Sequence, residues 1–177
     1  MNRDLERVVA HLRTERISCA VIGATAMAIH GVSRATQDID LLTTSRACLR
    51  EQFWKPLRDA GMDIDVREGD HDDPLAGVVR IYSQAQGTSI DIIIGRSSWQ
   101  TSITASAQTR NVDGVELPVA EAVDLILLKL YAGGIQDRWD ISQLLATSPA
   151  LAGQVDARIG QLPESCLALW NQLRAIS

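Results

Sequence analysis

GATAMAIHGVSRATQDIDLL, residues 23–42, sets a turn, a helix and an acidic strand in direct succession. Gly23 closes a short apolar run, Ile17–Ile22, that suits a buried strand. The alanine-rich stretch Ala24–His30 reads as a helix closed by Gly31. Gln37–Thr43 then alternates in strand fashion, which puts Asp38 and Asp40 on one face and Ile39 and Leu41 on the other. Carboxylates at i and i+2 of a strand sit about 7 Å apart at the backbone, close enough to share a divalent cation. Two aspartates held this way repel each other, and bound Mg²⁺ or Mn²⁺ would remove that cost. The alternative is a solvated strand face on which the pair has no function.

The same stretch has a phosphate side. Small residues at Gly23 and Ala24 let a ligand approach the backbone, and the helix that follows offers free N–H groups and a favourable dipole. Thr25 adds a hydroxyl donor, and Arg34 can pair with a phosphate oxygen or simply be a surface arginine. Downstream, Asp91 lies in SIDIII, an otherwise apolar strand where an acid has little structural reason to be. If that strand lies beside the first, Asp38, Asp40 and Asp91 converge, and metals bridging them could activate a hydroxyl and stabilise a leaving pyrophosphate. A second acidic pair, Asp63 and Asp65, follows a helix and a glycine without a small-residue turn and reads as an edge or solvated face. His71, Asp72 and Asp73 fall in the polar segment GDHDDP, which reads as an exposed loop.

Outward from there, Leu5, Val8, Val9 and Leu12 repeat at helical spacing within residues 2–15. Thr44 or Ser45 can cap a helix running to about Ala60, and Gly61 ends it. Strands are expected at Met62–Glu68, Val78–Tyr82 and Ser89–Ile94, the last two joined by a turn at Gln86 and Gly87. A helix follows at Trp99–Ala107, then a turn at Asp113-Gly114 within Val112–Val119. The rest is helical: Ala120–Ala132, a break at Gly133-Gly134, Asp137–Ala146, and one or two helices with Pro149 and Pro163 near their starts. The expected fold is α/β (α+β), a mixed twisted sheet with helices packed on it. Residues 1–118 form its core and residues 119–177 a helical segment packed on that core.

The chain has 177 residues and a formal net charge of −5. That balance argues against a surface coated with phosphate contacts, since nucleic-acid affinity rests largely on Lys and Arg. Cys19, Cys48 and Cys166 have no ligand spacing and read as buried free thiols. No apolar run approaches a membrane span, and the charged residues 1–16 do not resemble a signal peptide, so a cytoplasmic protein is expected.

Together, Gly23, Thr25, Ala26, Gly31, Arg34, Thr36, Asp38, Asp40 and Asp91 resemble the nucleotidyltransferase superfamily that includes DNA polymerase beta. The nearest resemblance is to the AbiEii-type abortive-infection branch and its toxin–antitoxin relatives, which show G-[GAS]-x-A, a helix, then R-x-[ST]-x-D-[IL]-D-[LF]. VAEAVDLILLKLYAGGIQDRWDISQLL (Val119–Leu145) resembles that branch's LI-x-x-K-L-x-A and D-x-x-D-[IL] helix pair. The resemblance implies a nucleotidyltransferase fold, with Asp38 and Asp40 holding Mg²⁺ (or Mn²⁺) and Asp91 the third ligand and base. It implies that Thr25 touches the nucleotide phosphates and that Lys129, inside an apolar helix, reaches the triphosphate rather than snorkelling to the helix edge. Asp137 and Asp140 match the closing acidic motif, or else act locally, Asp137 for instance as an N-cap. The turn reads Gly-Ala-Thr where members commonly carry Gly-Ser, and Gln136 stands where a basic residue often precedes the first acid.

The activity implied is transfer of a nucleoside monophosphate from an NTP to an acceptor hydroxyl. The acceptor would be a tRNA 3′ end, a protein or a small molecule, and a partner antitoxin would control the enzyme. The alternative is a module of the same fold that binds nucleotide or partner without turnover, as an antitoxin or sensor.

Overall fold

The structure, a computed structural model, describes residues 3–34, 36, 38–82 and 89–175. The turn expected at Gln86 and Gly87 lies outside them. The elements run α1 (Arg3–Thr14), β1 (Ala20–Ile22), α2 (Gly23–Ile29), β2 (Ile39–Thr43), α3 (Lys55–Asp59), β3 (Asp63–Glu68), β4 (Gly77–Tyr82) and β5 (Ser89–Ile94). They continue with α4 (Ser98–Ser106), β6 (Gln108–Val112), β7 (Val115–Val119), α5 (Ala122–Ala132), α6 (Ile135–Thr147), α7 (Ala150–Arg158) and α8 (Glu164–Arg174).

The strands form one seven-stranded mixed sheet in the order β3-β4-β5-β2-β1-β7-β6. Its centre is the parallel pair β2 and β5, with β1 antiparallel to β2 and parallel to β7. Strand β5 is buried along nearly its whole length, as a continuous apolar run at the middle of a sheet covered on both faces should be. Strand β3 is the outer edge, and its Asp63 is exposed, in keeping with an edge reading of the second acidic pair. In α1 the buried residues are Leu5, Val8, Val9 and Leu12, with acids in the first turn and His11 and Arg13 in the last, as the helix dipole favours.

Two local expectations need correction. No single helix spans 45–60: two short 3₁₀ turns, Arg46–Leu49 and Glu51–Trp54, precede the brief α3. Arg50 between the turns is extended, and Pro56 has no N–H to continue a helix through that point. Trp54 is buried there and donates its indole N–H to the Cys48 carbonyl at 2.7 Å. Strand β6 was not expected either; it is an edge strand, exposed except at Val112, and so lacks an apolar signal. Its hairpin with β7 does turn at Asp113-Gly114, both at positive φ (50° and 88°), the conformation the strand twist requires.

Helix α5 packs against α2, α6, α7 and α8 and stops at Gly133, whose φ of 69° is a left-handed cap. Its Asp124 is fully buried and pairs with Arg158 of α7 at 2.5 Å, with Ser106 Oγ at 3.4 Å from its other oxygen. All three cysteines are buried and free; burial pushes the Cys19 thiol up to about 11 and Cys48 up to about 12, so both stay protonated and inert. Among the described residues no helix is long and apolar enough to cross a membrane.

Candidate active site

The register of the central strands brings the acids together. Asp40 of β2 is the Cα partner of Asp91 on the parallel neighbour β5, so the two stand abreast on one face about 4.8 Å apart at the backbone. Asp38 lies just before β2, and its Oδ1 accepts hydrogen bonds from the Ser89 N–H (3.1 Å) and Oγ (2.8 Å) at the start of β5. Ile22, the last residue of β1, is the antiparallel partner of Asp40, which sets Gly23 and the start of α2 beside it.

Asp40 is the electrostatic centre of this face. Burial, then the negative charges of Asp91 and Asp38, push its carboxyl up to about 6, while Lys129 and Arg34 pull the other way. Among the described residues no hydrogen bond or ion pair reaches its carboxylate. Gly23 has a second role that the sequence did not reveal. A β-carbon there would lie 2.0 Å from Asp40 Oδ2, and the residue's φ is +64°, so glycine is required by the carboxylate as well as by the backbone.

Asp91 is held in a way that spacing did not foretell. Arg80, its Cα partner on β4, grips both its oxygens, Nε to Oδ1 at 2.8 Å and Nη2 to Oδ2 at 2.6 Å. Asp91 is 6% exposed, whereas the Arg80 side chain is 48% exposed and free to move into solvent. Among the described residues no group of three or more acidic, histidine or cysteine side chains converges to hold a metal by itself. The donor set still suits a cation at Asp38 and Asp40, where negative charge is crowded and, among the described residues, Asp40 makes no direct ion pair.

The remaining candidates form a network on the helical side. Lys129 of α5 is nearly buried and contacts Asp137 at 3.0 Å and Asp140 at 2.6 Å. Arg34 reaches the same Asp140, fully buried, at 3.1 Å. Asp137 is not an N-cap: it is the third residue of α6, and its Oδ2 accepts the Gly134 N–H at 3.0 Å. Both cations, held by these acids, are near enough to Asp40 to favour its charged form. Thr25 and Thr36 both point their hydroxyls at the Asp38 carbonyl, at 3.5 and 3.2 Å, and Ala24 is buried at the start of α2. His71, Asp72 and Asp73 lie in an exposed loop, and Arg96 donates to the carbonyls of Gly69, Asp70, His71 and Leu75 in it. Beside Gly23 and Lys129 a cavity of about 270 Å³ opens on the same sheet face, lined mainly by apolar side chains.

Arg80 and Ser89 escaped sequence reading because each acts through a cross-strand neighbour. Only the register says that Arg80 faces Asp91, although an arginine in the alternating GVVRIY run was the available hint.

No protein-family model matches the chain, and no curated protein matches its sequence. Among solved structures, it is similar to a putative nucleotidyltransferase from Thermotoga maritima, with TM-score 0.53 and 14% identity over 82% of this chain and 92% of that one. It is also similar to the antibiotic-resistance factor ANT(2″)-Ia, with TM-score 0.52 and 10% identity over 98% of this chain and 93% of that one. These likenesses show a shared fold, the mixed sheet with packed helices expected from the succession of strands and helices along the chain.

Proposed function

We propose that this protein transfers a nucleoside monophosphate from an NTP to an acceptor hydroxyl, with a divalent cation at Asp38 and Asp40. The observation that carries the reading is the Asp40–Asp91 register on adjacent parallel strands, with Asp38 two residues before and the Gly23 turn alongside. A cation there, Mg²⁺ or Mn²⁺, would supply charge neutralisation for the triphosphate and for the departing pyrophosphate. Asp38, whose Oδ1 accepts from Ser89, and Asp40 would hold it. Asp91 becomes available as third ligand and as base for the acceptor proton only when Arg80 lets go. Gly23, Ala24 and Thr25 present the N-terminus of α2 to phosphate, and Arg34 and Lys129 face it from the helical side. The acceptor oxygen bonds the α-phosphorus as pyrophosphate leaves, in a site where Asp137 and Asp140 keep the two cations in place.

The acceptor is a tRNA 3′ end, a protein or a small molecule. The first accords with an AbiEii-type toxin under an antitoxin's control, and the last is supported by the fold shared with an antibiotic-resistance factor. The net charge of −5 favours the smaller acceptors over RNA. A second reading, a binding module without turnover, is favoured by one observation: the bidentate hold of Arg80 on Asp91.

The test is to incubate the protein with each labelled NTP, Mg²⁺ or Mn²⁺, and in turn total RNA, cell protein and small-molecule extract. An Asp38→Ala, Asp40→Ala double variant runs beside it. Label moved by the wild type and not by the variant supports transfer and identifies the acceptor class. Nucleotide binding without any transfer would move the conclusion to the binding module.

A further inference from the structure

The cavity beside the acids contains one polar group that the mechanism above does not use. Gln100, in the first turn of α4, is 1% exposed and stands in the cavity wall. Its Oε1 accepts two backbone hydrogen bonds, from Arg96 N–H at 2.8 Å and Ser97 N–H at 2.9 Å, which fixes the amide's orientation. Its Nε2 is buried and, among the described residues, has no hydrogen-bond partner. Buried amide donors are nearly always satisfied, so this one calls for a partner, and the cavity whose wall Gln100 helps to form is where one can enter once the wall adjusts. Gly95 protects the arrangement: a β-carbon there would lie 2.4 Å from Gln100 Oε1.

The rest of the wall narrows the ligand's chemistry. Ile22, Leu42, Ile93, Leu125, Leu128 and Tyr131 make it apolar, while Gly23 and Lys129 form the end shared with the proposed phosphate site. Leu42 and Ile93 are two residues beyond Asp40 and Asp91 and are themselves Cα partners, so the cavity continues along the same face for about 7 Å toward Gly95 and Gln100. Tyr131 is kept in place by a T-shaped contact with Trp99 and by donating to the Pro74 carbonyl at 3.1 Å. A ligand that fits carries phosphate at one end and a flat, largely apolar ring at the other, and its ring presents a hydrogen-bond acceptor.

We infer that this cavity takes the nucleobase of the bound nucleotide and that Gln100 reads it, donating its Nε2–H to a ring nitrogen or carbonyl oxygen. The inference rests on the nucleotide-binding reading above and deepens it. Because Oε1 is saturated by two N–H groups, Gln100 can only donate. The site therefore selects the base whose acceptor meets Nε2 and rejects one that presents an amino group at that edge, since two donors would then face each other.

The test is calorimetric titration of the wild type and Gln100→Glu with ATP, GTP, CTP, UTP and inorganic triphosphate, each with Mg²⁺. Gln100→Glu keeps an oxygen for the Arg96 and Ser97 N–H groups and removes the donor while adding a negative charge, whose general effect on anions is read from inorganic triphosphate. Leu128→Trp is a second variant, on the half-buried side of α5, that fills the cavity and leaves Gln100 itself in place. Thermal unfolding checks that both variants fold. The expected result is that one or two nucleotides bind wild type best and lose about tenfold or more in Gln100→Glu beyond any loss of triphosphate affinity. Leu128→Trp should weaken all four nucleotides and spare triphosphate. Equal affinity for all nucleotides and triphosphate in the wild type, or equal losses for every ligand in Gln100→Glu, would overturn the base-reading role while leaving nucleotide binding intact. If neither nucleotide nor triphosphate binds the wild type, the functional reading itself fails, and this inference with it.

Discussion

Replacing Gly23 with alanine should damage the protein in two separable ways, and a double-mutant cycle can tell them apart. The first cost is conformational. Gly23 sits at φ +64°, and an L-residue there loses roughly 1–2 kcal/mol. The second is steric: the new methyl would lie 2.0 Å from Asp40 Oδ2 and 2.9 Å from its Cγ, far inside contact distance. Relieving such overpacking costs about 1–3 kcal/mol, and it displaces the Asp40 carboxylate. Gly23→Ala should therefore destabilise the wild type by about 2–5 kcal/mol. In an Asp40→Ala background only the 3.2 Å contact to Cβ remains, so the same substitution should cost about 1–2 kcal/mol. Urea unfolding of the four proteins, followed by far-ultraviolet circular dichroism, gives the coupling directly. Should Gly23→Ala cost the same in both backgrounds to within about 0.5 kcal/mol, the carboxylate would not be what excludes a side chain from this turn.

Asp40 also sets a pH signature: its folded carboxyl is raised to about 6 from 3.8, first by burial and then by Asp91 and Asp38. The folded state then holds the proton more tightly than the unfolded one, so this group's contribution is intact below about pH 4 and declines as pH rises to about 6. In metal-free buffer, Asp40→Asn should remove that decline from the stability profile; parallel profiles for variant and wild type would contradict the assignment. The buried Asp124–Arg158 pair predicts an asymmetry. Arg158→Ala strands a fully buried carboxylate and should cost about 3–5 kcal/mol, whereas Asp124→Ala leaves an arginine that can reach water and should cost less. Denaturant midpoints that reversed this order would refute it. Asp140→Asn weakens the hold on both Lys129 and Arg34 and should lower stability by about 2–3 kcal/mol, read by the same urea titration; a loss under 0.5 kcal/mol would mean the network is held elsewhere.

Residues 23–42 were legible because their signals are local. A glycine after an apolar run, an alanine-rich helix and an alternating acidic strand depend on neighbours one to four positions away, and those periodicities survive in the sequence. The same holds for α1, for β5 as a buried run, for the Asp113-Gly114 turn and for the Gly133 stop. The break in 45–60 was less visible, because Arg50 has no intrinsic preference for the extended conformation it adopts. Strand β6 was invisible for the opposite reason: an exposed edge strand pairs through its backbone and needs no apolar alternation.

The sequence by itself determined the chemistry on offer: three aspartates, a small-residue turn and a lysine within an apolar helix. Tertiary structure alone decided how that chemistry is arranged, because the decisive contacts join residues far apart in the chain. Asp40 meets Asp91 through strand register, Asp91 meets Arg80 through the next register, and Asp140 gathers Lys129 and Arg34 across three elements. Gln100 gains its meaning in the same way. Its oxygen is satisfied within its own turn, but its unpaired N–H becomes informative only once β1, β2, β5 and α5 enclose a cavity against it. Local periodicity is written in the order of the residues, whereas which side chains share a face and a charge is fixed by how strands pair and helices pack.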